Sequence, residues 1–352
     1  MLNLQMKRRY KPESRWNPFT LRVDLRKIRE GGVNAIFSAA YLPEKKMIDD
    51  CWAFNILSLF FGTRVRRMLK ANPFDATMSI INHFEKVVQK VRIDGRQVAE
   101  VARSKTDLER IVGEDKIAVL HTVEGGHSLD GKLSNLHVFF NRGVCLLTLS
   151  HFYENELGPT VGGIPHNKKF LCCFRNERHQ YGNLTDFGKD VVSEMIRLGM
   201  LIDITHCNPE VREEVLELNK KKRPIVCTHV GVQKLNPHGY NLSTKEIKRI
   251  ADTGGVIGMI FMNYWLIGKE EDLGLDYIVE SIKYLKKKGG VDCIVLGSDL
   301  DGLTKPPVDL RDISEFPKLT KALMKAGFSE TDIEKIMGKN VMRVLKEGWD
   351  KV

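Results

Sequence analysis

A chain of 352 residues with 42% hydrophobic and 28% charged residues has globular proportions and can bury a large core. No stretch reaches the roughly 18 to 20 unbroken apolar residues that span a bilayer, so a membrane protein is not expected. The net charge of +10 comes from Lys and Arg scattered in short runs (220–223, 286–288) without interleaved aromatics. That pattern suits a solvated basic surface better than a nucleic-acid-binding one.

Met1 leads into Lys7, Arg8 and Arg9 with no apolar core or small-residue cleavage site, so no signal peptide and a cytoplasmic location are expected. The seven cysteines are irregularly spaced and form no CxxC pair, which fits buried small hydrophobes in a reducing compartment. The first β-type run is 33–40. The apolar stretch 52–62 is too short to cross a membrane, is soon followed by Arg64, Arg66 and Arg67, and reads as a packed helix. Further β-type runs follow at 117–123, 144–149, 201–205, 225–228, 256–261 and 293–297. Each is nearly all apolar, as parallel strands buried on both faces require.

Helical patterns lie between them at 188–198, 209–218, 244–251 and 275–287. Asn208-Pro209 is an N-cap with proline in the first turn, and Ser243 with Glu246 and Ser329 with Asp332 have capping-box spacing. Residues 152–185, rich in Gly, Asn, Pro and His, read as an insertion over one end of the fold, and 329–347 as C-terminal helix. Alternating strands and helices mean parallel βα units in a single domain over 1–352, as an open sheet or a closed barrel. No dinucleotide or P-loop glycine motif is present. A closed barrel needs eight strands, and the sequence shows seven.

Polar residues follow the strands: Glu124, His151, His206, His229 and Asp299 each stand at or just past the end of a β-type run. In a parallel barrel those ends meet at one mouth, where imidazoles and carboxylates can hold a divalent metal. Any one of them alone is more often a structural histidine or a helix cap. Five after nearly successive strands would cost desolvation without return if they merely paired with one another. His121, His127, His166, His179 and His238 are expected to be bystanders, and Asp203 and Asp301 to orient their neighbours. No GxSxG elbow supports a serine hydrolase.

The segments around these residues (Val123-Glu124-Gly125-Gly126-His127-Ser128, Leu149-Ser150-His151, Asp203-Ile204-Thr205-His206, Cys227-Thr228-His229 and Gly297-Ser298-Asp299-Leu300-Asp301-Gly302) resemble the renal (membrane) dipeptidase family of zinc metallopeptidases. Asn183-Leu184-Thr185-Asp186 and Gly338-Lys339-Asn340 match further landmarks, in order, over nearly the whole chain. The resemblance implies an α/β fold, a TIM-like (β/α)8 barrel with a site for one or two zinc ions. In it Glu124 bridges metals, His206 and His229 complete one site, and Asp299, counted with them among the metal-holding residues, lies beside the metals and handles the proton. His151 would stabilise the tetrahedral intermediate, and the partner is a small peptide substrate. The chain departs from the family at two places. The family's His-x-Asp pair on its first strand has no counterpart before Val33, whose strand matches the family's second. The first strand is therefore expected upstream of Met1, or half of one metal site is lost. Residues 1–10 or a partner chain in a homo-oligomer would then cover the gap. Where the family has Arg-Asn to grip the dipeptide carboxylate, this chain has Tyr240-Asn241, both expected to bind substrate. The leading expectation is a metallodipeptidase. A non-catalytic barrel binding a small ligand, or a metal-dependent amide or lactone hydrolase, are the alternatives.

Overall fold

The computed structural model describes residues 21–46, 71–161, 181–267, 273–302 and 305–350. Helix α1 (Leu25–Glu30), capped by Asp24, leads into strand β1 (Ala35–Tyr41). After α2 (Pro73–Lys90) come a short hairpin, β2 (Arg92–Ile93) with β3 (Arg96–Gln97), strand β4 (Ala99–Ala102) and helix α3 (Lys105–Gly113). The βα rhythm then runs through β5 (Ile117–Glu124), α4 (Leu133–Asn141), β6 (Val144–Thr148), α5 (Asp186–Leu198), β7 (Leu201–Asp203) and α6 (Pro209–Asn219). It continues with β8 (Ile225–Val230), α7 (Thr244–Asp252), β9 (Val256–Met259), α8 (Asn263–Ile267), α9 (Leu275–Gly289) and β10 (Ile294–Leu296). Helices α10 (Phe316–Lys325), α11 (Glu330–Glu334) and α12 (Asn340–Gly348) end the chain, the last two joined by a π-helical turn at Lys335–Lys339.

The strands form one parallel, curled sheet in the order β1-β5-β6-β7-β8-β9-β10, the architecture of a TIM-like barrel. All seven expected strands are present. Among the described residues nothing pairs with the outer edges of β1 and β10, and a strand closing the barrel would lie between them. Beside that opening the backbone N–H groups of Arg22 and Val23 donate to the Asp301 carboxylate just past β10, and Arg22 also reaches the Arg311 carbonyl. The segments expected to cover the gap (1–10) and to form a packed helix (52–62) lie outside the described residues. Strand β4, which the sequence reading did not include, pairs with the first half of β5, while β6 takes the second half.

Alternation along the strands separates two apolar cores. Outward side chains such as Val119, Leu147, Ile202, Ile225 and Ile257 pack under the helices. Inward ones (Leu120, Leu146, Leu201, Val226, Val256 and Val295) gather with Val344, Leu345 and Trp349 at the barrel's bottom. Trp349 is wholly buried there. Two residues further up, the inward positions are Thr122, Thr148, Asp203, Thr228, Gly258 and Gly297, a layer with far less apolar volume. Above it lies the mouth. No helix of the described residues is long and apolar enough to cross a membrane.

The caps read from sequence are made: Asn208 accepts from Val211 N, Ser243 and Glu246 form a reciprocal capping box, and Ser329 accepts from Asp332 N.

Candidate metal centre

Each chemistry-bearing side chain reaches the mouth through a local device of its strand end. Glu124 is the last residue of β5, in register with Thr148 on one side and Tyr41 on the other. His206 follows β7 in a left-handed turn, φ +65°. A non-glycine residue held there stores backbone strain of roughly 1–3 kcal/mol, and such strain clusters at functional sites. Its carbonyl is pinned by Val161 N (2.8 Å) and Thr160 Oγ1 (2.7 Å), so these two residues tie down the His206 turn. His229 would point outward if β8 alternated strictly. A break in register between Cys227 and Val230 lets Thr228 and His229 both serve the interior. Asp299, φ +51°, follows Gly297 in the turn after β10. A Cβ on Gly297 would stand 1.7 Å from the Thr228 carbonyl oxygen, so this turn can approach β8 only without a side chain.

The side chains converge. Glu124 Oε1 lies 3.5 Å from His206 Nε2, 3.5 Å from His229 Nε2 and 4.0 Å from His151 Nε2. The two Nε2 atoms of His206 and His229 are 3.1 Å apart. Burial, reinforced by the charge of His151, drives His206 down to about 3, so it is neutral with a lone pair to offer. Glu124 is pushed up by burial, but the surrounding imidazoles outweigh this and hold it ionised well below the usual carboxylate range. Asp299 goes the other way: burial and the negative charge of Glu124 raise it to about 6 despite His229 and His151. One carboxylate stays charged while its neighbour can hold a proton near neutrality, a separation suited to ligand and proton carrier respectively.

Glu44, which sequence reasoning passed over, lies just past β1. Its Oε1 sits 3.1 Å from His151 Nδ1 and accepts from Phe152 N (3.0 Å), while Oε2 accepts from the Tyr41 hydroxyl (2.9 Å). Burial would raise Glu44, but His151 holds it at about 2. Burial would lower His151, but Glu44 and Glu124 raise it. The signal available was positional. Glu124, His151, His206, His229 and Asp299 each mark a strand exit, and β1 and β9 were the two expected strands whose exits had no residue assigned.

Tyr240 and Asn241 lie beside the centre, and both are buried. The Tyr240 ring is 5.2 Å from that of His206 and stacks on Trp265 at 4.0 Å, and its hydroxyl donates to the His229 carbonyl (2.6 Å). Asn241 accepts from Gly231 N and donates to the Asn236 and Trp265 carbonyls. Behind this loop the buried Arg212 donates to the Gly239 and Tyr240 carbonyls and pairs with Glu246 at 2.8 Å. Among the bystanders, His121 faces Glu85 on the outside of the barrel, at 3.4 Å, and His127 bonds the Leu42 carbonyl through Nε2. His166 and His179 lie outside the described residues.

Comparison with known proteins agrees with this architecture. A dipeptidase, tcpJ, of Claviceps purpurea (strain 20.1) is 27% identical over 329 residues, covering 93% of this chain and 69% of the relative. A metallopeptidase from Rhodobacter sphaeroides, solved with a phosphinate mimic of the dipeptide L-Ala-D-Ala, superposes with a TM-score of 0.77 at 21% identity, covering 94% of this chain and 91% of the other. The probable dipeptidase PvdM of Pseudomonas aeruginosa gives 0.75 at 22% identity over 94% and 90%. At those identities the solved structures speak for the fold. The sequence profile of the membrane dipeptidase family, peptidase family M19, matches residues 2–350, and the chain belongs to that family.

Proposed function

We propose that this protein is a zinc-dependent dipeptidase whose metal is held by Glu124, His206 and His229, with His151 and Asp299 acting on the substrate. Hydrolysis of dipeptides by a metal-dependent peptidase follows from family membership. The metal identity and the residue roles are the further reading. The observation that carries it is the spacing of the three donors. Ligands at the Zn–N and Zn–O distance of about 2.0–2.1 Å in a tetrahedral site stand about 3.3 Å from one another. Here the separations are 3.1, 3.5 and 3.5 Å. Two imidazoles and one carboxylate form a donor set of borderline softness that suits zinc.

When bound, zinc would supply a water of lowered pKa and polarise the scissile carbonyl. The chain's own groups do the rest. Asp299, able to carry a proton near neutrality, takes one from the attacking water and delivers it to the leaving amine. His151, held by Glu44 through Nδ1, presents Nε2 toward Glu124 and the centre of the mouth, where it can donate to the developing oxyanion. Thr160 and Val161 hold the backbone of the His206 turn across the same opening. A cytoplasmic location belongs to the same reading, supported by the described cysteines (Cys145, Cys207, Cys227 and Cys293), which are free and buried.

The test is metal analysis together with hydrolysis of free dipeptides. Purified protein should hold zinc, lose activity on chelation and regain it on zinc addition. His206→Ala should lower both the metal content and the rate. Zinc retained at full occupancy by both His206→Ala and His229→Ala would overturn the assignment.

A further inference from the structure

The polar layer beneath the metal centre contains Asp203, which the sequence led us to expect to orient a neighbour. Asp203, on β7, is completely buried inside the barrel. Five donors converge on its carboxylate. Oδ1 accepts from Thr205 N (3.0 Å), Thr205 Oγ1 (2.6 Å) and Thr228 N (3.0 Å), and Oδ2 accepts from Thr148 Oγ1 (2.7 Å) and Thr228 Oγ1 (2.7 Å). The partners come from β6, β8 and the turn carrying His206. A strut for the barrel alone would stop there, but Thr228 Oγ1 also lies 2.8 Å from His229 Nδ1.

A threonine hydroxyl has one proton. At Thr228 that proton can go to the Asp203 carboxylate, to Thr205 Oγ1 at 3.1 Å, or to His229 Nδ1. A hydrogen bond to a carboxylate is about twice as strong as one to a neutral acceptor, so the proton goes to Asp203. Thr228 Oγ1 is then an acceptor toward the ring. His229 must carry its hydrogen on Nδ1, and the lone pair is left on Nε2, where in the metal-free protein it can accept from His206 Nε2 at 3.1 Å.

We propose that Asp203 is a positioning residue that sets the tautomer of His229 through Thr228, so that Nε2 is ready to bind metal before any metal arrives. The inference rests on His229 being a metal ligand, but the state it describes belongs to the metal-free protein. Asp203 and Thr228 touch neither metal nor substrate.

The polarity of this relay can be inverted by one isosteric change. In Asp203→Asn the side-chain oxygen must stay at the Oδ1 place, because two backbone N–H groups point there. The amide NH2 then occupies the Oδ2 place and donates to Thr228 Oγ1. Thr228 turns its proton to His229 Nδ1, which is nearer (2.8 Å) and more basic than Thr205 Oγ1 (3.1 Å), and the ring hydrogen moves to Nε2, where it blocks the metal.

The experiment is long-range 1H–15N correlation on metal-free, 15N-histidine-labelled protein at mildly alkaline pH, with His229 identified by His229→Gln. Zinc affinity is measured alongside by chelator competition. Wild type should show His229 as the Nδ1–H tautomer and Asp203→Asn as Nε2–H, with zinc affinity lowered by roughly 10- to 100-fold. Thr228→Val, which removes the relay without inverting it, should lose less affinity than Asp203→Asn, and Thr228→Ser should restore wild-type values. A wild-type His229 found as Nε2–H, or an unchanged tautomer in Asp203→Asn, overturns the proposal. If Asp203→Asn does not fold, Thr228→Val decides: unchanged tautomer and affinity there overturn it equally. A wild-type protein with the Nδ1–H tautomer but no zinc affinity would sink the proposed function and leave only the Asp203–Thr228 control of the tautomer standing.

Discussion

Glu44 Oε1 and His151 Nδ1 stand 3.1 Å apart in a buried pair that joins the exit of β1 to the exit of β6. The pair fixes which nitrogen of His151 faces the metal centre. Glu44→Gln should therefore lower kcat by about 10²-fold, the scale of losing one oriented oxyanion donor, with little change in KM or zinc content. Steady-state kinetics with zinc analysis checks this, and a selective rise in KM would place His151 in binding instead.

The same pair gives a pH signature in metal-free protein. Glu44 falls from 4.5 to about 2 on folding, so its contribution is present above pH 4.5 and is lost as pH drops toward 2. His151 rises above 6.5, so its contribution is complete below 6.5 and disappears as pH climbs through the higher folded value. The Tm difference between wild type and Glu44→Gln should be greatest between about pH 5 and 6.5 and shrink on both sides. A difference constant from pH 4 to 9 would contradict the pairing.

Asp299 carries the opposite sign of a normal carboxylate. Its pKa rises from 3.8 to about 6, so its stabilising effect, complete below 3.8, is lost as pH rises through 6. At pH 8 the metal-free enzyme keeps a buried charge it would rather lose. Asp299→Asn should raise the Tm of metal-free protein at pH 8, leave it nearly unchanged at pH 4, and abolish hydrolysis. Thermal melts at the two pH values measure this, and equal shifts at both would refute it.

The Tyr240 hydroxyl donates to the His229 carbonyl, so its proton is already committed in the ligand-free site. Tyr240→Phe should cost roughly 1 kcal/mol of stability, the net worth of one hydrogen bond, and should affect free and amide-capped dipeptides alike. A rise in KM confined to free dipeptides would show instead that the phenol grips the substrate carboxylate.

Arg212 and Glu246 form a buried pair behind the same loop. Arg212→Met strands the Glu246 charge and should destabilise by about 3–5 kcal/mol, whereas Arg212→Met with Glu246→Met should recover much of the loss. Denaturant melts of the single and double variants test it, and a double variant as unstable as the single would show that the bonds to Gly239 and Tyr240, with the capping box lost at Glu246, dominate.

The strands and the residues at their ends were legible because both leave marks within a few positions: apolar runs of strand length, then a lone His, Glu or Asp. Strand β4 left no such mark. Ala99–Ala102 is four residues long and carries Glu100, and only its pairing with β5 makes it a strand. Glu44 sits in a Pro-Glu-Lys-Lys stretch that reads as solvated loop, and its partner is 107 residues away. Of the Asp203 relay the sequence showed a polar residue inside an apolar strand, expected to orient a neighbour, but not which neighbour. Which hydroxyls reach it depends on register across three strands, which the local pattern does not contain. The same holds for His229, whose inward aim depends on the break in β8.

Trp349 seals the bottom of the barrel against Leu120, Leu146, Leu201 and Val226, side chains from strands made far earlier in the chain. Synthesis runs from the N-terminus, so every strand leaves the ribosome before the residue that closes the space between them. While the last helix is still inside the exit tunnel, the nascent barrel holds its apolar floor open to water, and Asp350 has not yet reached Arg223. The metal-binding mouth and the floor are thus completed at different times, the floor last. A ribosome stalled so that Asn340–Gly348 is still inside the exit tunnel while β10 has emerged should carry a chain that binds hydrophobic dye and is readily cut by protease, and release should remove both properties.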